Sequence, residues 1–200
     1  AGQVKFCSSS SRNLSSSMTQ SNTTTRRIVL TGAPSTGKTS VVALLQELGY
    51  PVLHEISRDI ITQEGTKLGG DDPWRNLLAF SEVIWKLRAA QHAEAQHYGG
   101  DVYYDRSLLD TLSYLQAGDK EIPEWMDPSP YPYHYKVFIF PPWEAIYRTD
   151  GERWEPFETA VQVHESLVST YSTLGYELVE VPRASVEQRV EFILHVLGRK

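Results

Sequence analysis

The chain has 200 residues, 40% hydrophobic and 22% charged, with a formal net charge of −6; this suits one soluble α/β domain with a full core, plus a tail. The acidic balance argues against non-specific nucleic-acid binding, which needs a basic field, and no apolar run approaches the ~20 residues of a membrane span. The single cysteine, Cys7, lies outside the predicted fold, which excludes a disulfide framework and a Cys-based zinc site and points to a reducing compartment, with the cytoplasm as the expected location.

Residues 1–25 read as a disordered, Ser/Thr-rich tail. Twelve of the eighteen residues from Ser8 to Thr25 are Ser or Thr, and the first acidic residue is Glu47. Such a segment has too little apolar surface to offset its ordering entropy. Two origins fit: an added extension ahead of a native start at Met18, which is favoured, or the remnant of an organellar targeting segment, which would move the location to an organelle. Residues 26–200 are the expected domain.

The domain opens with a strand, Arg27–Thr31, that runs into Gly32-Ala33-Pro34-Ser35-Thr36-Gly37-Lys38-Thr39-Ser40. An apolar helical pattern follows (Val41, Val42, Leu44, Leu45, Leu48), closed by Gly49. Strand, Gly-x-x-x-x-Gly-Lys-Thr and helix together form the context of a phosphate-binding P-loop. A loop wrapped round a triphosphate must aim backbone N–H groups inward, and glycine permits the close approach. The helix adds its N-terminal amides. Lys38 is expected on the β- and γ-phosphates and the Thr39 hydroxyl on Mg²⁺, so the chain is predicted to bind ATP or GTP with Mg²⁺.

Pro51-Val52-Leu53 reads as strand two, ending at His54-Glu55, with a helical stretch from Ile56 to about Gln63 and a Gly-rich break at 65–70. Asp72-Pro73 is a strong helix start; that helix carries Trp74, Leu77, Leu78, Ile84, Trp85 and Leu87 and reaches towards His97. Strand three is Val102–Tyr104, ending at Asp105, and Ser107 to Asp110 is a capping-box pattern. Residues 122–135 hold four prolines and four aromatics, too dense in proline for a regular element. Val137–Phe140 is strand four, with a short helix expected around Trp143–Tyr147 before the charged turn 148–153. Pro156 starts a helix whose apolar face is Phe157, Val161, Val168, Tyr171 and Leu174. Glu177–Val181 is strand five, and Ser185 to Gln188 caps a last helix with Val190, Ile193, Leu194 and Leu197. Five strands separated by helices predict an α/β fold, a parallel sheet covered on both faces, with ligands beyond the carboxyl ends of the strands.

Those ends carry the candidate chemistry. Asp105 stands where P-loop proteins place the acid that holds Mg²⁺ or its water; capping a strand end is the bland alternative. Arg106 suits a substrate phosphate or carboxylate, or else a structural pair with Asp105 or Glu55. Glu55 is a candidate base for an acceptor hydroxyl or a second Mg²⁺-water ligand, against a salt bridge to Arg58. Ser107 and Asp110 are most economically a helix cap, and His54 a packing residue. Arg148 and Arg153 flank a Gly-containing turn and can close over a triphosphate, or pair on the surface with Asp150 and Glu152. Trp74, Trp85 and Arg88 can wall an acceptor pocket, although the two Trp are more simply core at helical spacing. The Pro/Tyr loop can line a pocket or bind a partner.

Together these residues resemble a small P-loop family, the AAA-type ATP-binding domain that includes the ribosylnicotinamide kinase domain of the bacterial NAD regulator. The likeness rests on Thr31 to Thr39, on Glu55-x-x-Arg58 after strand two, and on Asp105-Arg106-Ser107-Leu108-Leu109-Asp110-Thr111 after strand three. Nucleoside and nucleotide kinases share this layout. The resemblance implies a three-layer P-loop NTPase fold, a sheet of kinase-like order 2-3-1-4-5, and roles for Glu55, Asp105, Arg106, Arg148 and Arg153 in phosphotransfer. No second-region homology or arginine-finger pattern of an assembling motor is present. Some relatives bind GTP and act in trafficking, so two functions are carried forward. One is a Mg²⁺-ATP-dependent kinase for a small hydroxylated acceptor, a nucleoside or nucleotide-like molecule. The other is an ATP- or GTP-binding hydrolytic switch controlling a protein or lipid partner.

Removal of residues 1–20 is expected to leave melting temperature and nucleotide affinity unaltered, because no predicted core contact comes from them. Calorimetry of the shortened chain checks this, and a large drop in Tm would mean that the segment docks on the domain.

Overall fold

A computed structural model of the protein describes residues 24–57, 60, 76–147 and 156–199. Five strands, β1 (Arg26–Gly32), β2 (Val52–Leu53), β3 (Asp101–Asp105), β4 (Lys136–Phe140) and β5 (Glu177–Glu180), form one sheet in the order β2-β3-β1-β4-β5. Every neighbouring pair is parallel. This is the three-layer P-loop fold and the strand order that the resemblance implies. β1 lies at the centre, with Leu30 opposite Asp105 on one side and Phe138 on the other. That register brings the P-loop level with the end of β3.

Alternate residues of the strands feed opposite faces, as the pleat requires. Ile28, Leu30, Tyr103, Phe138 and Phe140 pack with Val41, Val42 and Leu45 of α1 (Lys38–Glu47) and with Val190 and Ile193 of α5 (Val186–Val196). Val29, Tyr104, Val137 and Ile139 face the other layer, made by α2 (Leu77–Glu94), α3 (Leu108–Ala117) and α4 (Phe157–Thr173). Both predicted capping boxes are formed, Ser107 with Asp110 and Ser185 with Gln188.

Several expectations are corrected. Leu48 is exposed, since α1 ends one residue earlier and its buried stripe is Val41, Val42 and Leu45. The short helix expected around Trp143–Tyr147 is present as a single 3-10 turn, Glu144–Ile146. The buried face of α4 is Ala160, Val163, Leu167, Thr170 and Tyr171, and Val168 and Leu174 point outward. Two polar contacts explain that rotation: Ser166 donates to the Ser113 carbonyl and Thr170 to Gln116 Oε1. Apolar spacing alone does not register such contacts. The start of the helix at Asp72-Pro73, Trp74 and most of the stretch from Ile56 to Gln63 lie outside the described residues.

The Pro/Tyr loop packs on the core. Met126 and Tyr133 are buried, and Tyr131 meets the edges of Trp85 and His92. Trp85 is core as well, 5% exposed.

At the sheet end away from the P-loop, Asp101 takes Arg26 through two bonds of 2.6 and 2.8 Å and Arg199 through one of 2.8 Å. Burial pushes this carboxyl up, but the two guanidinium groups outweigh burial and hold its pKa at about 2. The stabilisation is present above the unfolded carboxylate value near ~3.9 and is lost as pH falls through about 2. Asp101→Asn is therefore expected to lower stability by about 1–3 kcal/mol at pH 7, and to flatten the decline in Tm between about pH 4 and 2. Denaturant titrations across that range check both.

Candidate active site

The P-loop geometry follows from its glycines. Gly32 has φ +148°, and a Cβ there would lie 2.5 Å from the Phe140 carbonyl oxygen, so no side chain fits between β1 and β4. Gly37, at φ +79°, is the left-handed N-cap of α1. On its outer side a Cβ would meet Arg189 Nη1 at 2.7 Å. Arg189, from the first turn of α5, donates to the Thr36 carbonyl at 3.3 Å and lies 5.9 Å from the Trp143 ring centre. Sequence patterns gave no sign of this brace, because nothing local marks a contact spanning 153 residues.

Lys38 is almost fully buried. Its Nζ donates to the carbonyls of Gly32 and Ala33, both at 2.8 Å, and to Thr36 Oγ1 at 3.2 Å. Burial first, then repulsion from Arg106, lowers its pKa to about 7; Asp105, Glu55 and Asp110 pull the other way. Thr39 and Ser40 follow Lys38 in the first turn of α1 and are exposed.

Beyond β2 and β3 the predicted groups converge. Arg106 has φ +66°, a costly backbone for a non-glycine residue, held by its N–H on the Leu30 carbonyl at 2.9 Å. This posture turns the side chain across the P-loop. Nε donates to Glu55 Oε1 at 2.9 Å and Nη1 to the Gly32 carbonyl at 3.0 Å. Burial opposes its charge, but Glu55, Tyr114, Asp110 and Asp105 together keep it firmly protonated. Asp105 is 2% exposed, and its Oδ1 accepts no hydrogen bond. Burial and then Glu55 push its carboxyl up, against Lys38, Arg106 and Arg88.

Asp110 does more than cap α3. Its Oδ2 accepts from the Ser107 N–H at 2.9 Å and from Tyr171 Oη at 2.6 Å, and its Oδ1 from Thr31 Oγ1 at 2.5 Å. Oδ1 also lies 3.6 Å from Arg106 Nη1. One buried carboxylate thus ties together β1, the turn after β3, and α4. The sequence offers only the capping box: it marks Thr31 as part of the P-loop motif and Tyr171 as part of an apolar helix face, neither as a partner of Asp110.

His54 is exposed and is not the packing residue expected; its carbonyl accepts from Gln91 Nε2 at 3.0 Å. Arg58, Arg148 and Arg153 lie outside the described residues. Among the described residues no group of three or more His, Cys, Asp or Glu forms a metal cage. The donor set still fits Mg²⁺: a hydroxyl at Thr39 and the unpartnered, buried carboxylate oxygen of Asp105 are hard oxygen ligands. Magnesium usually takes only one or two protein oxygens beside the phosphates.

A family model described as an AAA domain matches residues 27–189. The chain belongs to the AAA domain family. No curated protein is significantly similar in sequence to this AAA domain chain. Solved structures share its fold. A deoxyadenosine kinase from M. mycoides with bound dATP superposes with a TM-score of 0.66 at 14% identity, over 86% of this chain and 99% of that one. The thymidylate kinase of Candida albicans gives 0.63 at 15%, over 88% and 92%. That of Ehrlichia chaffeensis gives 0.60 at 16%, over 87% and 99%. The AAA domain of this chain is a P-loop nucleotide-binding domain of kinase-like fold.

The Lys38 environment leads to a pH dependence. With its pKa at about 7, Lys38 is mostly neutral at pH 8, and a bound triphosphate favours the ammonium. Nucleotide binding is expected to take up close to one proton at pH 8, and affinity to fall by up to about tenfold per pH unit above pH 7. Calorimetric titration in buffers of different ionisation enthalpy measures the uptake. Lys38→Ala should abolish it and weaken binding sharply; an unchanged pH profile in that variant would assign the titration elsewhere.

Proposed function

We propose that the protein is a Mg²⁺-ATP-dependent kinase that transfers the γ-phosphate to a small hydroxylated acceptor, a nucleoside or nucleotide-like molecule. The observation that carries this reading is the Glu55–Arg106 pair, 2.9 Å apart and largely buried, set across the P-loop by the bond from Arg106 to Gly32. A carboxylate and a guanidinium beside a phosphate cradle suit an acceptor that must be both deprotonated and held. Nucleoside and nucleotide kinases among the solved structures of the same fold support the acceptor class, as does the resemblance to ribosylnicotinamide kinase.

In this reading the amides of residues 32–40 and Lys38 hold the β- and γ-phosphates, and Thr39 and Asp105 hold Mg²⁺. The charge that Mg²⁺ would supply, held by Thr39 and Asp105, would offset the negative charge developing on the transferred phosphate. Glu55 accepts the proton of the acceptor hydroxyl as its oxygen bonds to the γ-phosphorus and the bond to the ADP oxygen breaks. Arg106 orients the acceptor or the transferred group. Arg148 and Arg153 close over the triphosphate and offset its charge.

Acceptor-dependent ADP formation across a panel of nucleosides, nucleotides and cofactor precursors tests the proposal. Glu55→Gln should leave ATP binding near normal and slow transfer by about 10²–10⁴-fold, while Arg106→Ala should chiefly raise the KM of the acceptor. Hydrolysis that no acceptor stimulates, with a conformational change between the ATP and ADP forms, would instead favour a switch acting on a protein or lipid partner. Wild-type turnover by Glu55→Gln at saturating acceptor would reduce Glu55 to a structural partner of Arg106.

A further inference from the structure

Arg189 is a buried cation with no part in the chemistry above. It is 5% exposed, and no carboxylate among the described residues forms a salt bridge with it. Burial lowers its pKa from the ordinary guanidinium value, so its charge is held beside the P-loop at a cost. An apolar side chain would join α5 to α1 without that cost.

The guanidinium is held on several sides. Nε donates to the Ser185 carbonyl at 3.4 Å, and Ser185 is the N-cap whose box with Gln188 fixes the first turn of α5. The Trp143 ring centre lies 5.9 Å from Cζ, within the range of a cation–π contact. Arg183 in turn pins the peptide ahead of Trp143, its Nε and Nη2 donating to the Pro142 carbonyl at 3.3 and 3.0 Å. So placed, Arg189 sends Nη1 to the Thr36 carbonyl and lies against the Gly37 α-carbon, where a Cβ would stand 2.7 Å from Nη1 and 3.5 Å from Cζ.

Thr36 is pinned from the inner side as well. Its Oγ1 donates to the Ala33 carbonyl at 3.0 Å and accepts from Lys38 Nζ at 3.2 Å. The Thr36 carbonyl and the Gly37 N–H belong to one planar trans peptide and point in opposite directions. With the carbonyl turned out to Arg189, the N–H is turned into the loop, and no backbone carbonyl among the described residues accepts it.

We propose that Arg189 is a positioning residue for phosphate binding: it fixes the Thr36–Gly37 peptide so that the Gly37 N–H is set in advance to donate to a phosphate oxygen. A charged donor on the carbonyl also polarises the peptide, which strengthens its N–H as a donor. A peptide free to turn would have to be ordered at the moment of binding, whereas a fixed one needs no reorganisation. The turn after β5 and the head of α5 thus set phosphate affinity from 153 positions along the chain. This rests on that part of the proposed function in which the loop amides hold the phosphates, and is independent of the acceptor.

The Gly37 amide reports on it directly. Labelling with ¹³C-carbonyl threonine and ¹⁵N-glycine selects the two Thr–Gly pairs, 31–32 and 36–37, and the signal that Thr36→Ser removes is that of Gly37. In the wild type, Mg²⁺-ADP should move this signal strongly downfield, as a bond to a charged acceptor does. At saturating Mg²⁺-ADP, Arg189→Met should show less than about half of that shift, and its affinity for ADP and ATP should each fall by about five- to thirtyfold. Weaker ADP binding with an unaltered Gly37 shift would put Arg189 on the nucleoside instead and overturn the proposal. A lower Tm with shift and affinities unaltered would overturn it too, leaving Arg189 a structural brace. Should Arg189→Met not fold, Trp143→Leu removes the ring beside the guanidinium and should reproduce part of both effects; an unaltered signal and affinity there would then decide against the proposal. ADP that binds the wild type without moving the Gly37 signal would sink the placement of the phosphates along with the proposal, whereas equal shifts in wild type and Arg189→Met would sink the proposal alone.

Discussion

Three cationic side chains, Lys38, Arg88 and Arg106, are buried together at the carboxyl ends of the central strands. Placing positive charge inside a protein is costly unless it is compensated by hydrogen bonds and opposite charge, and the local structure is arranged round that requirement. Lys38 rests on loop carbonyls, Arg88 on the carbonyls at the end of β3, and Arg106 between Glu55 and the Gly32 carbonyl. Backbone oxygen atoms carry much of the load, so the positive field stays available to an anionic ligand.

Holding these groups in place falls to a second buried layer. Asp110 joins Thr31 of β1, Ser107 at the head of α3 and Tyr171 of α4 through short hydrogen bonds. Arg189 braces the P-loop from the other face of the sheet. Groups that act on phosphate must be positioned within a fraction of an ångström, and residues locked by packing and hydrogen bonds do that better than a loop acting alone. The left-handed backbone of Arg106 fits the same view, since strain of that kind persists only where its surroundings fix it.

Much of the fold was legible because parallel α/β proteins write their elements locally. The apolar runs Ile28–Leu30, Val102–Tyr104 and Val137–Phe140 are buried on both faces, and such strands read as continuous hydrophobic stretches. Capping boxes mark helix starts by hydrogen bonds between residues three apart. The outer faces of helices were harder. On α4 the buried stripe includes Thr170 and a small Ala160, and its rotation is set by side-chain bonds to α3.

By itself the sequence determined the P-loop, the parallel sheet, and the chemical types at the strand ends, because each depends on short-range spacing: glycines that free the backbone, a lysine and a hydroxyl at the head of a helix, acids and an arginine following apolar strands. Tertiary structure alone decided the partners. Glu55 and Arg106 stand 51 positions apart, Thr31 and Asp110 79, and Arg189 and Thr36 153. Their meeting depends on strand order and helix packing, which no local pattern encodes. The same holds for Arg88: the sequence placed it on a helix that can wall a pocket, and only the packing of that helix against β3 fixed one guanidinium nitrogen and left an edge with two unpartnered donors.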